Sequence, residues 1–413
     1  MRYDVIIVGS GPSGTSTALN LARICPGIAE RTLVLERDSH PRHKLCGGGC
    51  VPQVDMCLER LGLDYLEVPH VDVDWAHVQF RGRGFPLRFG KGYSFRVVRR
   101  NEFDAWLADH VRRRGIEIKE ETRVTKLHRS DDGVEIETNR GTFSARVVVG
   151  ADGTSGVVRK LVPEGAKTCT VARLVELITP AVPASAPATM AADDALLDFA
   201  FMPAGVQGYA WSFPTKIAGE RMRNWGVYDS RLVPRKSAGS LRPVVAEWMQ
   251  QAGYRLDDYH LEGHPIRLFE AGASFAAPHV VLVGDAAGVD ATFGEGISPA
   301  LAYGEIAARA IDDAFRRGDF SFAGYRSAVL KSPVGVALRR RTASARALNR
   351  FYYPWVQKLL WWRMGPLARW YIKKVLFNWG EPDEPLPAER PSVPVPAPHA
   401  PTAPVASSKT TSR

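Results

Sequence analysis

The amino-acid sequence predicts an α/β fold in which a parallel, Rossmann-like sheet is interleaved with an antiparallel sheet and followed by C-terminal helices. Three observations lead to this prediction: a strand–loop–helix–strand pattern over the first 36 residues, alternating strands with glycine-rich turns after residue 73, and a helical segment rich in cations and aromatic side chains after residue 320. The chain has 413 residues, 45% hydrophobic and 24% charged, which suits two or three domains and excludes a chain that is disordered throughout.

The first 36 residues form one predicted βαβ unit. Residues 5–8 are a run of Val and Ile typical of a buried strand, and the tight glycine loop 9–14 follows directly. A helix is predicted over 17–24 and a second buried strand over 32–35, which ends at Glu36. Strand, glycine loop, helix and strand in this order are typical of the beginning of a parallel sheet.

The middle of the chain changes between two kinds of sheet. Residues 74–98 alternate in the manner of an antiparallel sheet, and residues 171–268 mix short strands with Pro- and Ala-rich loops. The remaining predicted elements are a helix over 102–114, strands near Val124 and over 134–138, 146–149 and 280–283, and a helix over 297–316.

The predicted domain boundaries follow from these changes of pattern. The parallel domain comprises residues 1–72, 91–166 and 275–320, the antiparallel domain 73–90 and 167–274, the C-terminal helices 321–380, and a tail 381–413. Nine of the last 33 residues are proline, which indicates that the tail is disordered or extended.

The formal charge of +10 has one local source. Residues 320–380 contain twelve Lys or Arg and no Asp or Glu, which leaves 42 basic against 44 acidic residues elsewhere. The same segment holds five of the ten tryptophans, namely Trp355, Trp361, Trp362, Trp370 and Trp379. Nucleic acid is disfavoured as a partner because no binding module accompanies these aromatic residues.

Trp and Tyr prefer the membrane–water interface, and cations are attracted to anionic lipid. We therefore expect segment 339–379 either to contact an anionic membrane surface or to form a helical lid with a solvated basic rim.

The cysteine content and the hydropathy of the chain indicate the cellular compartment in which the protein is expected. The five cysteines are few and odd in number, which argues for a reducing compartment, and their spacing completes no zinc site, so no metal is expected. No run of 18 uncharged apolar residues exists, and Met1 leads almost directly into the first strand. We expect a cytoplasmic protein, or one that is peripheral at the inner face of the membrane.

The glycine loop has the features of a dinucleotide site. Gly9 makes the turn, Gly11 lets the backbone approach a pyrophosphate, and Gly14 allows the helix to pack on the strand. Glu36, 22 residues beyond Gly14, is placed to accept a hydrogen bond from a ribose hydroxyl, and its charge disfavours NADP here.

Two distant segments separate FAD from NAD as the ligand. Residues 147–153 are a strand that ends in Asp-Gly, and residues 281–288 are a strand that ends in Gly-Asp. Together with the glycine loop they resemble the glutathione-reductase-type FAD fold that is shared by para-hydroxybenzoate hydroxylase-like monooxygenases and geranylgeranyl reductases. The resemblance covers about residues 1–320. Gly156 and Ala291 depart from it, since the family usually has serine and proline there.

The resemblance implies a set of FAD-binding residues. They are Gly9, Gly11, Pro12, Ser13, Gly14, Glu36, Arg37, Cys46, Gly47, Gly48, Arg100, Val124, Asp152, Gly153, Gly284, Asp285, Gly294, Gly296 and Ile297. In the family the arginine that Arg100 matches reaches the phosphates, the aspartate that Asp285 matches binds the ribityl chain, and the helix after Gly296 points at the ring. A helix N-terminus suits this place because its unpaired amides favour the anion that forms when flavin is reduced.

Two further motifs resemble the geranylgeranyl reductase family. Residues 44–49, Lys-Leu-Cys-Gly-Gly-Gly, are similar to the Lys-x-Cys-Gly-Gly-Gly signature that lies beside the flavin in this family. Residues 209–214, Tyr-Ala-Trp-Ser-Phe-Pro, are similar to the family's Tyr-x-Trp-x-Phe-Pro motif. The resemblance implies FAD-dependent reduction of C=C bonds in a prenyl-type lipid. Cys46, Tyr209 and Trp211 are the catalytic candidates, and Phe213 would line an apolar slot with Trp211.

Other functions stay open from the sequence. Residues 208–214 also resemble the Gly-Trp-x-Trp-x-Ile-Pro motif of halogenases, so a flavin monooxygenase or halogenase that acts on a small apolar substrate is the alternative. A non-catalytic FAD-binding or membrane-tethering protein is a third. No second glycine-rich βαβ unit is found, so the reductant would be transient NAD(P)H or an external protein electron donor. Removal of the residues after about Ser332 is expected to leave FAD bound but to abolish binding to liposomes.

Overall fold

The computed structural model describes residues 2–89, 92–181, 193–235 and 239–379, and the predicted tail over 381–413 lies outside these ranges. The strands are β1 (Arg2–Val8), β2 (Thr32–Leu35), β3 (Gly49–Cys50), β4 (His70–Val73), β5 (Ala76–Phe80), β6 (Arg83–Leu87), β7 (Phe95–Val98), β8 (Glu117–Lys119), β9 (Val124–Ser130), β10 (Gly133–Thr138), β11 (Gly141–Gly150), β12 (Val171–Pro180), β13 (Ala195–Asp198), β14 (Gly208–Ile217), β15 (Glu220–Asp229), β16 (Glu262–Arg267), β17 (Ala276–Ala277) and β18 (Val280–Leu282). The helices are α1 (Pro12–Ile24), α2 (Pro26–Ala29), α3 (Pro52–Glu59), α4 (Arg100–Arg113), α5 (Arg242–Gln250), α6 (Ile297–Arg317), α7 (Tyr325–Lys331), α8 (Pro333–Arg350), α9 (Pro354–Lys358) and α10 (Gly365–Tyr371), with π-helical turns at Leu359–Arg363 and Ile372–Leu376.

The first sheet is built around β1. This strand pairs in parallel with β11, where Val5 lies opposite Val147, and with β2, where Val5 lies opposite Thr32. Strand β18 continues the parallel arrangement beyond β11, and β8 continues it beyond β2, while the hairpin β9–β10 is antiparallel to β11. Helix α1 packs against α4 and α6. The core of β1 is fully buried, as is usual for a central parallel strand.

Two predicted helix starts were too late in the sequence. Helix α1 begins at Pro12 and not at residue 17, because the fixed φ of proline suits the first helical turn and the glycine loop is correspondingly shorter. Helix α4 begins at Arg100, two residues before the predicted start. Both corrections place functional candidates in a first helical turn, where backbone amides have no partner within the helix.

The second sheet is mostly antiparallel. Its order among the described residues is β16-β12-β15-β14-β13-β5-β6, and only β13 and β5 pair in parallel. The hairpin β5–β6 comes from segment 73–90, so the two stretches assigned to the antiparallel domain meet in one sheet. Strands β3, β7 and β4 form a small third sheet. Strand β3 begins at Gly49, the last residue of the glycine run 47–49, and is an edge strand of this sheet.

The C-terminal helices are part of a hydrophobic core that they share with the second sheet. Trp361 is buried and stacks on Phe199 with ring centroids 4.6 Å apart, and Leu376 belongs to the same cluster. Trp362 donates through Nε1 to the carbonyl of Phe80 at 2.9 Å. A chain cut after Ser332 would expose this core, which argues against the expectation that the segment can be removed without effect on the site.

Exposed large hydrophobic side chains are concentrated on the same segment. The C-terminal aromatic surface consists of Phe351, Tyr353, Trp355, Leu359, Met364, Leu367, Trp370 and Tyr371, each more than one-third exposed. Cations Lys358, Arg363, Arg369, Lys373 and Lys374 lie among them in the sequence. Within the described ranges, no helix is both long and apolar enough to cross a membrane.

Candidate functional site

A cavity of about 670 Å³ extends from the glycine loop between β1 and α1 to the inner face of the second sheet. We call its two regions the polar end, lined by the loop and Glu36, and the apolar chamber, lined by aromatic and aliphatic side chains. Of the 21 site residues named from the sequence, 19 line this cavity, and only Gly14 and Gly284 do not. Residues predicted from separate segments of the chain therefore lie around one cavity.

The two glycines at the start of the polar end are required by close packing. Gly9 has φ +101°, and a Cβ there would lie 2.5 Å from the carbonyl oxygen of Ala151. A Cβ on Gly14 would lie 1.9 Å from the carbonyl oxygen of Gly9. Gly14 thus lets α1 pack on the loop from behind the cavity wall, which is the packing role that the sequence pattern suggested.

Two arginines lie over the glycine loop. Arg100 makes a bidentate ion pair with the buried Asp104, at 2.7 and 2.9 Å, and this carboxylate raises the pKa of Arg100 against the effect of burial. Arg42 Nη2 lies 3.1 Å from the same carboxylate. A Cβ built on Gly11 would lie 3.5 Å from Arg42 and 3.9 Å from Arg100. The two guanidinium groups can therefore bind a diphosphate over Gly11.

Glu36 is fixed at the end of β2. One carboxylate oxygen accepts from the amide and the hydroxyl of Ser10, at 2.9 and 2.6 Å, and the other accepts from the amide of Asp38 at 3.1 Å. The side chain is almost fully buried and lines the cavity. Such a carboxylate can accept from a ribose hydroxyl, as its position in the sequence suggested. Arg37 is mostly exposed and pairs with Asp38 at 3.0 Å.

One departure from the family pattern has a local cause. A Cβ on Gly156 would lie 2.2 Å from Oδ1 of Asp152, so the side chain of Asp152 occupies the space that a serine would need. Asp152 Oδ2 accepts from the amide of Val158 at 3.0 Å, and burial raises the pKa of this carboxyl. Gly153 and Val124 line the cavity beside it.

The start of α6 closes the polar end on its other side. Gly294, Gly296 and Ile297 line the cavity, together with Asp285 from the turn after β18. Gly284, in that turn, has φ +57°, and a Cβ on it would lie 2.6 Å from Ser13 Oγ, which ties the turn to α1. Helix α6 has 21 residues and begins at Ile297, and Glu295 accepts from the amide of Ser298 in its first turn at 2.8 Å. Because Gly296 and Ile297 line the cavity, the positive end of the helix dipole lies at the cavity.

The glycine run 47–49 packs against the aromatic rings of Trp211 and Phe213. A Cβ on Gly47 would lie 3.3 Å from Trp211 Nε1 and 3.4 Å from Phe213. The run was expected to approach the flavin closely, and in the structure one face of it packs on the two chamber residues. Cys46 Sγ accepts from the amide of Gly48 at 3.3 Å. Burial raises the pKa of the Cys46 thiol, although nearby Arg100 opposes this, so the thiol keeps its proton at neutral pH.

Buried polar side chains of the second sheet make hydrogen bonds to Cys46, next to this run, and to Trp211. Glu176 of β12 accepts from the amide of Cys46 at 2.8 Å, and Asn224 of β15 accepts from Trp211 Nε1 at 2.7 Å. Burial raises the pKa of Glu176 to about 7, although hydrogen bonds from the Cys46 amide and the Asn224 side chain act in the opposite direction. No sequence motif assigned a role to Glu176, which fixes the Cys46 backbone, or to Asn224, which fixes the Trp211 indole.

The apolar chamber is the part of the cavity that aromatic and aliphatic side chains line. Its side chains are Val51, Ala76, Val78, Leu87, Phe89, Phe95, Leu174, Leu197, Tyr209, Trp211, Phe213, Tyr228, Ile266, Val289, Phe293 and Phe377. Trp211 lies flat across β15, where a Cβ on Gly226 would come within 2.2 Å of its indole. Phe95 packs edge-on against Phe213 at 5.2 Å between centroids. The chamber can exclude water from an apolar ligand.

Tyr209 connects the chamber to the loop before α6. Its hydroxyl donates to the carbonyl of Phe293 at 2.5 Å, and the neighbouring Tyr228 hydroxyl donates to the carbonyl of Ala291 at 3.0 Å. Burial raises the pKa of Tyr209 well above its usual value. Tyr209 is therefore a neutral phenol whose proton is held by a backbone carbonyl.

Lys44 and His264 form a second polar pair at the cavity wall. The ammonium group of Lys44 donates to Nε2 of His264, and both residues line the cavity. Burial and the charge of Lys44 lower the pKa of His264 to about 4, so the ring is neutral at physiological pH. Burial lowers the pKa of Lys44, while Asp285 acts in the opposite direction. The sequence analysis quoted Lys44 and gave it no role.

These residues fit FAD. Arg42 Nε is buried, lies 3.6 Å from Glu36 Oε2 and makes no hydrogen bond among the described residues, so it is available as a donor in the polar end. The glycine loop, two arginines, Glu36 and a helix N-terminus supply contacts for the phosphates, ribose and ring of a dinucleotide. Over the same ranges, no cluster of three or more His, Cys, Asp or Glu is arranged to hold a metal ion.

Comparison with known proteins agrees with this geometry. The FAD binding domain family matches residues 2–221. A geranylgeranyl diphosphate reductase of Rhodobacter capsulatus is 28% identical and covers 75% of each chain. A menaquinone reductase of Mycolicibacterium smegmatis is 27% identical, over 74% of this chain and 76% of its own. The resemblance to geranylgeranyl reductases that the motifs indicated is confirmed.

Two solved structures share the fold. A geranylgeranyl bacteriochlorophyll reductase-like protein of Thermoplasma acidophilum has a TM-score of 0.67 at 18% identity, and the match covers 91% of this chain and 99% of that one. A flavin-dependent brominase has a TM-score of 0.66 at 17% identity, over 91% and 93% of the chains. At these identities the match concerns the fold alone, and the predicted FAD-binding α/β fold with C-terminal helices is confirmed.

Proposed function

The chain belongs to the FAD binding domain family, and on this premise we propose that it is an FAD-dependent oxidoreductase that reduces C=C bonds of a prenyl-type lipid. The observation that carries the proposal is that one cavity is lined both by the residues of a dinucleotide cradle and by many aromatic and aliphatic side chains. An isolated alkene offers no polar handle, so shape and exclusion of water have to orient it. The relatives named as geranylgeranyl and menaquinone reductases support this substrate class.

FAD, when bound, supplies the hydride for such a reduction. The chain itself has to hold the alkene in place and deliver a proton to the other carbon. Trp211, Phe213 and Phe95 provide flat apolar walls, and the hydrogen bond from Trp211 to Asn224 fixes the indole plane. Because the effective concentration gained by such orientation is large, the walls contribute to rate as well as to binding.

Cys46 is the better placed of the two proton-donor candidates. Its thiol keeps a proton at neutral pH because burial raises its pKa, and it lines the cavity between the polar end and Trp211. Tyr209 would first have to break its hydrogen bond to the Phe293 carbonyl. We propose that Cys46 donates the proton and that Tyr209 mainly holds the loop before α6. A loss of turnover in Tyr209→Phe greater than that in Cys46→Ser would reverse the assignment.

The cofactor roles are proposed from the same contacts. Arg42 and Arg100 bind the diphosphate, Glu36 binds a ribose hydroxyl, and the residues around Asp285 and the start of α6 hold the ribityl chain and ring. The reductant for FAD is external, either NAD(P)H bound transiently or a protein donor. Anaerobic mixing of the oxidised holoenzyme with NADH, NADPH or a reduced ferredoxin distinguishes these donors by loss of flavin absorbance.

The C-terminal aromatic surface fits a lipid membrane. Trp355 and Trp370 are 68% and 55% exposed, and the cations among these residues each add about 1 kcal/mol of attraction to an anionic surface before screening. Trp361 and Trp362 of the same segment pack against the second sheet, so the surface lies next to the core that holds the chamber. We propose that the protein binds peripherally to an anionic membrane from which it takes its substrate.

Product analysis tests the proposed reaction. Reduced holoenzyme is incubated without oxygen with geranylgeranyl diphosphate and with a prenylated quinone, and products are identified by mass spectrometry. After any quinol has been reoxidised in air, a mass increase of two hydrogens per bond, located in the prenyl chain by fragmentation, is expected in at least one substrate. If neither substrate gains hydrogen, and an apolar compound is instead oxygenated or halogenated when oxygen is admitted, the flavin monooxygenase or halogenase alternative is correct.

A further inference from the structure

Arg341 of α8 is a fully buried cation that reaches the loop before α6 from the C-terminal helices. Its Nη1 lies 3.3 Å from Asp290 Oδ2 and 3.1 Å from Glu295 Oε2, and its Nε donates to the carbonyl of Leu376 at 2.8 Å. None of these three charged side chains is more than 7% exposed. The cluster lies outside the contacts used above for FAD and substrate.

The two carboxylates determine the shape of the loop 290–296. Asp290 accepts from the amide of Thr292 at 2.8 Å, and Glu295 accepts from the amide and hydroxyl of Ser298 at 2.8 and 2.7 Å. The hydroxyl of Thr292 donates to the carbonyl of Arg341 at 2.7 Å. The loop is thus bound to α8 through both the side chain and the backbone of Arg341.

Arg341 also contacts the apolar chamber. Its guanidinium carbon lies 4.2 Å from the centroid of the Phe377 ring, within the range of a cation–π contact. Phe377 lines the chamber beside Phe89 and Phe293, at 4.5 and 5.3 Å between centroids. One side chain therefore connects the polar end, the chamber and the C-terminal helices.

We propose that Arg341 is a positioning residue for FAD, which holds loop 290–296 at the polar end and offsets the negative charge of Asp290 and Glu295 there. The inference rests on the proposed FAD site and concerns a residue that this site does not itself include. Burial raises the pKa of both Asp290 and Glu295 and Arg341 acts in the opposite direction, so this arginine supplies the positive charge beside two buried carboxyls. Because reduction adds negative charge to the flavin, a more negative surrounding makes reduction harder.

The test compares Arg341→Met with Arg340→Met, an exposed arginine one residue away on the same helix. For each purified holoenzyme the dissociation constant of FAD and the midpoint potential of the flavin are measured. Arg341→Met is expected to weaken FAD binding by at least about tenfold and to shift the potential to more negative values, and Arg340→Met to change neither. Arg341→Lys, which keeps the charge without the forked geometry, is expected to restore the potential more fully than the affinity.

Glu295→Gln gives an independent readout if Arg341→Met does not fold. The substitution keeps the size of the side chain and removes one negative charge while Arg341 remains, so the potential is expected to shift to more positive values. Potentials that are unchanged in both variants, or that move in the same direction, overturn the proposal. Both measurements use FAD alone, so a protein that binds FAD but reduces no prenyl lipid would refute the proposed reaction and leave this inference standing.

Discussion

Glu176 provides a quantitative test of the network below Cys46. Glu176→Gln keeps the size of the side chain and an acceptor for the Cys46 amide, and removes the charge. The pKa of this carboxyl rises from 4.5 to about 7 because it is buried, which corresponds to about 3 kcal/mol. A carboxyl whose pKa is raised in the folded state stabilises the fold below its unfolded pKa, and this stability is lost as the pH rises through about 7.

The assay is urea unfolding of wild type and variant, with saturating FAD, at about pH 5 and about pH 8.5. The free energy of unfolding of Glu176→Gln minus that of wild type is expected to be larger by about 2 to 3 kcal/mol at the higher pH. Glu135→Gln is the matched control, since Glu135 is an exposed carboxylate on strand β10 and does not contribute to the raised pKa of Glu176. A difference that is the same at both pH values would refute the reasoning, because Glu176 would then titrate as it does in the unfolded chain.

Three further predictions concern cofactor, substrate and membrane. Arg42→Met is expected to raise the dissociation constant of FAD by about tenfold or more, because a charge-assisted contact is lost. Arg31→Met, on the surface, is expected to change this constant little. Titration of flavin fluorescence measures both constants, and equal effects of the two substitutions would show that Arg42 does not bind FAD. Trp211→Phe loses the hydrogen bond to Asn224 and is expected to lower turnover of a prenyl substrate by about tenfold with FAD affinity unchanged, so a loss of FAD binding in place of turnover would contradict the chamber assignment. The double variant Trp355→Ser with Trp370→Ser is expected to reduce co-sedimentation with anionic liposomes by about tenfold, with FAD content unchanged. The control Trp75→Ser replaces a tryptophan that is exposed elsewhere and is expected to sediment like the wild type. Equal sedimentation of the wild type, the double variant and the control would refute membrane binding through this surface.

Local patterns carried much of the fold prediction. The glycine loop, Glu36 and the Asp-Gly and Gly-Asp strand ends are short-range signals, and each depends on backbone rules that hold wherever the pattern occurs. They led to the correct α/β fold and to a set of residues that line one cavity. The helix starts were less well predicted, because proline in a first turn reads as a loop residue when it follows glycine.

The residues that were missed act across the fold. Glu176 is the one acidic residue of a mainly apolar strand that also contains Arg173, which is a signal for a buried polar role, but its partner Cys46 is 130 residues away. Arg341 sits among three consecutive arginines and is distinguished only by the helix face it shares with Leu338 and Ala345. Arg42 has no local signal, since its place over Gly11 depends on how the chain returns after Glu36. Such pairings are set by tertiary packing, which no local pattern encodes.

The most direct test of the central claim is reoxidation of the reduced flavin in the absence of oxygen. Holoenzyme reduced with one equivalent of dithionite is mixed with geranylgeranyl diphosphate or another prenyl substrate that carries no quinone ring in a stopped-flow instrument, and flavin absorbance is followed. The account predicts that absorbance returns in a substrate-dependent phase, that Cys46→Ser slows this phase, and that the product carries the added hydrogens. A flavin that stays reduced with every prenyl substrate, and is reoxidised only when oxygen is admitted, would contradict it.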